Sequence, residues 1–235
     1  WYACTYALYV GVLMAYSRNL TEPLAFCFAA WGVMLWQQER RAFAAAAFAC
    51  AGLTKEIALI FPLGLCITTL LDRKFGQAVW AILATFPLLV WELYLGSAFG
   101  QLPVMSGPSL ERLPLAGILP HLNADPGRLS AFLFAGLPAF AVIPVGLWLL
   151  WRHGPSQPAI WWALLHGVFV LLLPLNVYNH IMHAGRNAAG LVMSLVFLLP
   201  YLHRWLRLAG LVGALAPTLI WTTPVLRWAP WLSEV

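Results

Sequence analysis

The sequence predicts an all-α fold, a polytopic transmembrane helix bundle of about nine membrane helices that forms one domain over residues 1–235. Three observations predict it. Hydrophobic residues make up 62% of the chain, charged residues make up only 9%, and apolar runs of helical length alternate with short polar breaks. Soluble domains are about 45–50% apolar and about 25% charged. A water-soluble enzyme, a nucleic-acid binder, a disordered tail and a disulfide scaffold are therefore excluded.

Each apolar run predicts one helix. The second run also begins with residues that are typical of a helix N-terminus. Asn19 or Thr21 can cap its N-terminus, with Glu22 and Pro23 in the first helical turn. Between the fifth and sixth runs the pattern predicts a long non-cytoplasmic loop at 97–129. The runs cover residues 2–16, 22–36, 42–53, 57–71, 78–96, 130–150, 159–175, 188–202 and 208–224.

The third and fourth runs could form one helix with Thr54-Lys55-Glu56 at its centre. That arrangement places two ionised groups in the middle of the bilayer, at an insertion cost of about 2.5–3.5 kcal/mol each. We therefore predict a break at Thr54 and a short helical hairpin whose polar tip is buried by neighbouring helices or opens to a water-filled cavity.

Splitting the run at Thr54 also places the basic breaks at 37–41, 72–74, 151–153 and 203–207 on one face. Short loops rich in Lys and Arg mark the cytoplasmic side, so we predict that this face is cytoplasmic. The opposite, non-cytoplasmic face then carries the segments 17–23, 54–56, 97–129 and 176–187.

The candidate residues of that face each allow two interpretations. Glu22 either complements the helix dipole or contacts a polar ligand together with Arg18, which could instead extend to the lipid headgroups. Lys55 and Glu56 either form an ion pair that caps the turn, or Lys55 binds an anionic group while Glu56 holds it or acts as a base. A lysine ammonium suits a phosphate as a point charge.

The segment 176–187 adds hydrogen-bonding side chains, with Tyr178, Asn179, His183 and Arg186 as substrate-binding candidates. Arg186 could hold a phosphate or extend to the headgroups. His183 lies three residues after His180, but this segment supplies no carboxylate, so we predict no metal site from it.

The order of motifs over residues 17–74 resembles the GT-C glycosyltransferases, the protein mannosyltransferase-like and lipid A aminoarabinose transferase-like membrane enzymes. The motifs are Arg18-Asn-Leu-Thr-Glu22-Pro23, the basic turn Arg40-Arg41, an Ala-rich helix that ends Ala51-Gly-Leu-Thr-Lys55-Glu56, and a return helix that contains Pro62.

This resemblance implies transfer of a sugar from a polyprenyl-phosphate-linked donor on the non-cytoplasmic face of a multi-pass protein of the bacterial inner membrane. It assigns Lys55 to the donor phosphate, with Glu22 and Glu56 as helpers. Members of the family carry an acidic catalytic residue in the external loop after their first helix, and this sequence shows no such loop before 17–23. We therefore expect a fragment that lacks its N-terminal part. No cofactor is certain, and a divalent cation stays open.

The polar residues fit this chemistry on their own. Sugar transfer needs a carboxylate to take the acceptor's proton, for which Glu22 and Glu56 are the catalytic candidates. It also needs cations to neutralise the leaving phosphate, which Arg18, Lys55 and Arg186 could supply. The expected partners are the lipid-linked donor and the bilayer, without nucleic acid. The alternatives are a transporter or lipid flippase, which would need polar residues near the middle of several helices, and a scaffold subunit without chemistry.

Overall fold

A computed structural model of the chain describes residues 2–103, 110–116, 119, 126–179 and 181–222. All regular secondary structure within these ranges is helical, which confirms the predicted all-α class. The helices are α1 (Tyr2–Ala7), α2 (Val10–Ser17), α3 (Glu22–Gln37), α4 (Arg41–Thr54), α5 (Ile60–Leu71), α6 (Phe75–Leu83), α7 (Phe86–Phe99), α8 (Pro126–Ala131), α9 (Leu137–His153), α10 (Pro158–Leu171), α11 (Leu175–Tyr178), α12 (Ile181–Leu198) and α13 (Arg204–Thr222).

The first apolar run forms two helices, where the sequence predicted one helix over 2–16. Tyr9 adopts an extended backbone between α1 and α2. The carbonyl of Leu8 accepts a hydrogen bond of 2.6 Å from the Thr218 hydroxyl of α13, so a tertiary contact replaces a bond within the helix. Sequence periodicity could not reveal this partner, which lies about 200 residues away along the chain.

The predicted break at the Thr54-Lys55-Glu56 tip is present. Helix α4 ends at Thr54, Lys55 is extended, and a 3-10 turn over Glu56–Leu59 leads into α5. The Thr54 hydroxyl donates to the Cys50 carbonyl one turn earlier at 2.7 Å, and the Lys55 N–H donates to the Ala51 carbonyl at 2.8 Å, which satisfies one of the last carbonyls of α4. The two helices therefore meet at a polar turn instead of continuing as one rod.

Two helical segments are long and apolar enough to cross a membrane, Phe75–Phe99 and Arg128–His153, of 25 and 26 residues. The first is interrupted by a turn before Pro87, and the second contains a wider π-helical turn over Phe132–Gly136 just before Pro138, which has no N–H to donate. The segments Arg41–Thr54, Glu56–Leu71 and Pro158–Leu171 are shorter. Because helices of this length do not span about 30 Å of hydrocarbon, the expected bundle of nine membrane helices is not confirmed.

The predicted basic break 72–74 and the loops beside the breaks 151–153 and 203–207 meet at one end of the bundle. Asp72 accepts a hydrogen bond from Ser156 and pairs with Lys74 at 3.0 Å, while Tyr201 donates to Gln157 at 2.8 Å. The hydrogen bonds from Ser156 and Lys74 hold the pKa of the exposed Asp72 carboxyl below its ordinary value. The loops at 72–74, 154–157 and 199–201 therefore lie together, and the last two adjoin the predicted basic breaks 151–153 and 203–207.

The interior of the bundle is filled by aromatic and aliphatic side chains, of which Phe26, Phe61 and Ile160 are fully buried. Helix α7, by contrast, has no buried residue, and its large apolar side chains are exposed. An exposed apolar surface of this extent is typical of contact with lipid or with another protein. The exposed members on α7 are Phe86, Leu89, Val90, Trp91, Leu93, Tyr94 and Phe99.

Candidate anion-binding site

Three of the residues predicted from sequence meet in one ionic cluster. Glu22 Oε1 lies 2.7 Å from Arg186 Nη2 and 3.2 Å from Arg186 Nε, and Lys55 Nζ lies 3.8 Å from the same oxygen. Glu22 and Arg186 are 164 residues apart in the chain. The cluster lies at the end of the bundle opposite the 72–74 and 154–157 loops, since α3 and α5 both run away from it.

Local structure explains how each side chain reaches the cluster. Glu22 is the first residue of α3, followed by Pro23, whose fixed φ and missing N–H suit the first turn of a helix. Lys55 is the extended residue at the end of α4. Arg186 lies next to Gly185, where α12 approaches α2 so closely that a Cβ on Gly11 would lie 2.3 Å from the Gly185 carbonyl oxygen.

The electrostatics of the cluster favour an additional anion. One carboxylate faces two cations, which leaves a net charge of about +1 at the surface of an apolar bundle. The Glu22 side chain is only 4% exposed, whereas Lys55 and Arg186 are each 26% exposed. The cations therefore lie between the buried carboxylate and the exterior, where they can bind a phosphate or a second carboxylate.

The two oxygens of Glu22 differ. Oε1 takes all the contacts of the cluster, while Oε2 is buried and has no hydrogen-bond partner in the part of the chain that the structure describes. A buried acceptor without a partner is uncommon in native proteins and calls for an explanation. Oε2 is available to accept a hydrogen bond from a ligand.

The remaining predicted site residues lie at the same end without joining the cluster. Arg18 and Glu56 are exposed, at the end of α2 and the start of the 3-10 turn, and His183 is exposed in the first turn of α12. Asn179 Oδ1 accepts from Arg128 Nε at 3.1 Å. The hydroxyl of Tyr178 is buried and donates to the Val170 carbonyl at 2.6 Å, so this group is already engaged in joining α11 to α10.

Sequence reasoning missed two tyrosines beside the cluster. The sequence places Tyr6 and Tyr9 only within the first apolar run, but both hydroxyls are buried and lack a hydrogen-bond partner among the described residues. Tyr6 lies within electrostatic reach of Glu22 and of Tyr9. Helical spacing gives no signal for this pair, because Tyr6 lies in α1 and Tyr9 is the extended residue after it. Arg128 was also missed, because it falls within the predicted 97–129 loop.

An apolar groove of about 380 Å³ lies between α9, α12 and α13, and Tyr9 forms part of its wall. Along α12 its lining begins at Ala188 and ends at Leu198, a length of about 15 Å for helical backbone. Its other walls are almost entirely aliphatic. Tyr9 therefore belongs to the wall of the groove, and its hydroxyl also lies close to Gly185, the neighbour of Arg186.

No group of three or more His, Cys, Asp or Glu side chains that could hold a metal ion occurs in the ranges described. His180, the partner of His183 in the weak metal motif, lies outside them. Comparison of the chain with protein-family models, curated proteins and solved structures found no match.

Proposed function

We propose that this chain is a membrane glycosyltransferase, or part of one, that moves a sugar from a polyprenyl-phosphate-linked donor to an acceptor on the non-cytoplasmic face. One observation carries the proposal: Lys55 and Arg186 converge, partly exposed, on the buried Glu22 at one end of an apolar bundle. The resemblance to GT-C glycosyltransferases over residues 17–74 adds the reaction class. Insertion as a multi-pass protein of the bacterial inner membrane is part of the same proposal.

In the proposed reaction, Lys55 and Arg186 bind the donor phosphate. An oxygen of the acceptor hydroxyl bonds to the anomeric carbon, and the bond from that carbon to the phosphate oxygen breaks. The electron pair of the broken bond stays on the lipid phosphate, whose growing charge the two cations stabilise. The proton of the acceptor hydroxyl passes to a carboxylate, for which Glu22 Oε2 and the exposed Glu56 are the candidates.

The groove beside Tyr9 supports an amphiphilic donor. A hydrocarbon tail gains free energy by lying against aliphatic side chains, while its phosphate binds at the cluster. A soluble sugar nucleotide has no hydrocarbon tail that could occupy such a groove. This combination of cationic cluster and apolar groove favours a lipid-linked donor.

The first prediction concerns Lys55. We expect Lys55→Ala to abolish transfer, with a loss of about 100-fold or more, because the leaving phosphate loses a stabilising charge. Insertion and folding should be preserved. The measurement is transfer of radiolabelled sugar by the purified chain in proteoliposomes, from a panel of polyprenyl-phosphate sugars.

Lys74→Ala is the matched control, since Lys74 also pairs with a carboxylate, at 3.0 Å, but at the opposite end of the bundle. We expect this variant to keep full activity. Unchanged transfer by Lys55→Ala would remove Lys55 from the site, and equal losses in both variants would show that the effect is not specific to the cluster.

The transporter alternative draws on a polar pair within the core. The His166 and Ser194 side chains are fully buried between α10 and α12, and His166 Nδ1 lies 2.9 Å from Ser194 Oγ. Polar groups within a bundle are typical of transport paths. Both side chains also contact helix carbonyls, at Trp162 and Gly190. Movement of a labelled lipid phosphate between leaflets without an acceptor would favour this alternative over transfer.

A further inference from the structure

Three buried polar atoms at the cluster have no hydrogen-bond partner in the described part of the chain. They are the hydroxyls of Tyr6 and Tyr9 and Oε2 of Glu22. Burial of a hydroxyl without a hydrogen bond costs free energy, and native proteins keep such groups rare. Three of them within one neighbourhood indicate buried positions prepared for hydrogen bonds that the described part of the polypeptide does not make.

The three side chains lie near one another at the same end of the bundle. Tyr6 lies near both Glu22 and Tyr9, and its ring packs edge-on against Phe26 at 6.3 Å between ring centroids. A Cβ placed on Gly185 would lie 3.6 Å from the Tyr9 hydroxyl, so this hydroxyl is close to the backbone that carries Arg186. The aromatic packing fixes the position of the Tyr6 ring.

The donor and acceptor inventory of this region suits hydroxyl groups. A tyrosine hydroxyl both donates and accepts, and an ionised carboxylate oxygen only accepts. A phosphate offers acceptors alone, so it would match the two cations and the tyrosine O–H groups but not Glu22 Oε2. A group that carries several hydroxyls can donate to Oε2 and accept from the tyrosines at the same time.

We infer that Tyr6 and Tyr9, together with Glu22 Oε2, bind hydroxyl groups of the donor's sugar, beside the phosphate held by Lys55 and Arg186. This inference rests on the proposed function and deepens it: if Oε2 of Glu22 binds the donor's sugar, the acceptor's proton passes to Glu56. Tyr6 and Tyr9 are then specificity-determining residues that distinguish a sugar-bearing lipid phosphate from the bare lipid phosphate released by the reaction. The Tyr9 position, at the wall of the groove, sets the sugar at the junction of the polar and apolar surfaces.

The experiment compares binding of three lipids by the purified full chain in nanodiscs: farnesyl phosphate, and farnesyl phosphate that carries mannose or aminoarabinose. We expect the wild type to prefer a sugar-bearing lipid. Tyr6→Phe and Tyr9→Phe should each weaken binding of that lipid about three- to tenfold, the range for one lost hydrogen bond. Their affinity for farnesyl phosphate should not change. Tyr201→Phe, which removes a hydroxyl at the opposite end, is the matched control and should keep both affinities.

Thermal unfolding without lipid gives a second readout. If the two hydroxyls have no partner in the free protein, their removal should leave the unfolding temperature unchanged or raise it. A lower unfolding temperature would show that they hold the fold together and would overturn the inference. Retained sugar preference in the Phe variants, or equal weakening of all three lipids, would overturn it as well.

The same binding experiment distinguishes failure of the proposed function from failure of the assignment of Tyr6 and Tyr9. If the wild type binds none of the three lipids, the anion site itself is wrong and the inference fails with it. If the wild type binds farnesyl phosphate through Lys55 but shows no preference for either sugar-bearing lipid, only the assignment of Tyr6 and Tyr9 is overturned.

Discussion

Glu22 is the residue on which both cations of the cluster converge, although its own side chain is almost inaccessible. A buried carboxylate is costly unless it is paired and hydrogen-bonded, and Arg186 supplies two N–H donors to one oxygen. The planar guanidinium is suited to such a contact. Glu22 therefore positions Arg186 and Lys55 whether or not its second oxygen also takes a proton.

At this scale we predict that Glu22→Ala lowers the free energy of unfolding by about 1–3 kcal/mol. Two neighbouring cations would lose their counter-charge, but both are partly exposed and can be hydrated. Glu22→Gln should lower the free energy of unfolding by less, because the amide oxygen of the glutamine can still accept a hydrogen bond from Arg186. Denaturant unfolding in detergent micelles measures both.

Glu56→Ala provides the comparison for Glu22→Ala, because Glu56 is an exposed glutamate at the same end of the bundle. We expect it to change stability by no more than about 0.5 kcal/mol. A loss as large as that of Glu22→Ala would mean that stability depends on the charge of this end and not on the buried contact.

Among the elements, the contact of α2 with α12 decides where Arg186 lies. The two helices approach at Gly11 and Gly185, where an added Cβ would meet backbone atoms. Small residues permit such close packing of membrane helices. The polar tip between α4 and α5 could be predicted because two charges interrupt an apolar run, whereas the break at Tyr9 could not, since nothing in the run 2–16 interrupts its apolar character.

We predict that Gly11→Ala forces α2 away from α12, because the obstacle is a backbone carbonyl at 2.3 Å that cannot rotate aside. Overpacking of this kind costs about 1–3 kcal/mol. The same displacement should weaken phosphate binding by moving Arg186 from Glu22. Thermal unfolding and binding of farnesyl phosphate measure the two effects.

Gly76→Ala is the control for this substitution, because a Cβ on Gly76 in α6 would meet nothing within 4 Å. The free energy of unfolding of this variant should stay the same or rise slightly, because alanine has a higher helix propensity than glycine. If Gly11→Ala is as well tolerated as Gly76→Ala, close packing of α2 on α12 does not determine the cluster.

For the whole molecule, the polar groups are divided between two ends. Glu22, Lys55 and Arg186 share one end, and the Asp72–Ser156 contact marks the other. The positive-inside rule assigns the second end to the cytoplasm. The structure contains this division, while the orientation in a membrane stays a prediction.

We predict that cysteines at the two ends are labelled from opposite sides of a membrane. In a variant whose four cysteines are replaced by alanine, Glu56→Cys should react with a membrane-impermeant maleimide from outside spheroplasts. Lys74→Cys should react only after the membrane is permeabilised. Both side chains are exposed. Labelling of both positions from one side would contradict the proposed orientation.

The sequence alone determined the helical class, the break at Thr54-Lys55-Glu56 and the grouping of the basic loops, because composition, hydropathy and charge act locally along the chain. It also identified Glu22, Lys55 and Arg186 as site candidates. Only the tertiary structure decided that these three side chains touch, that Tyr178 is engaged by Val170, and that Tyr6 and Tyr9 border the cluster. Such contacts join residues as much as 164 positions apart, and they depend on how closely helices pack, which no local pattern encodes.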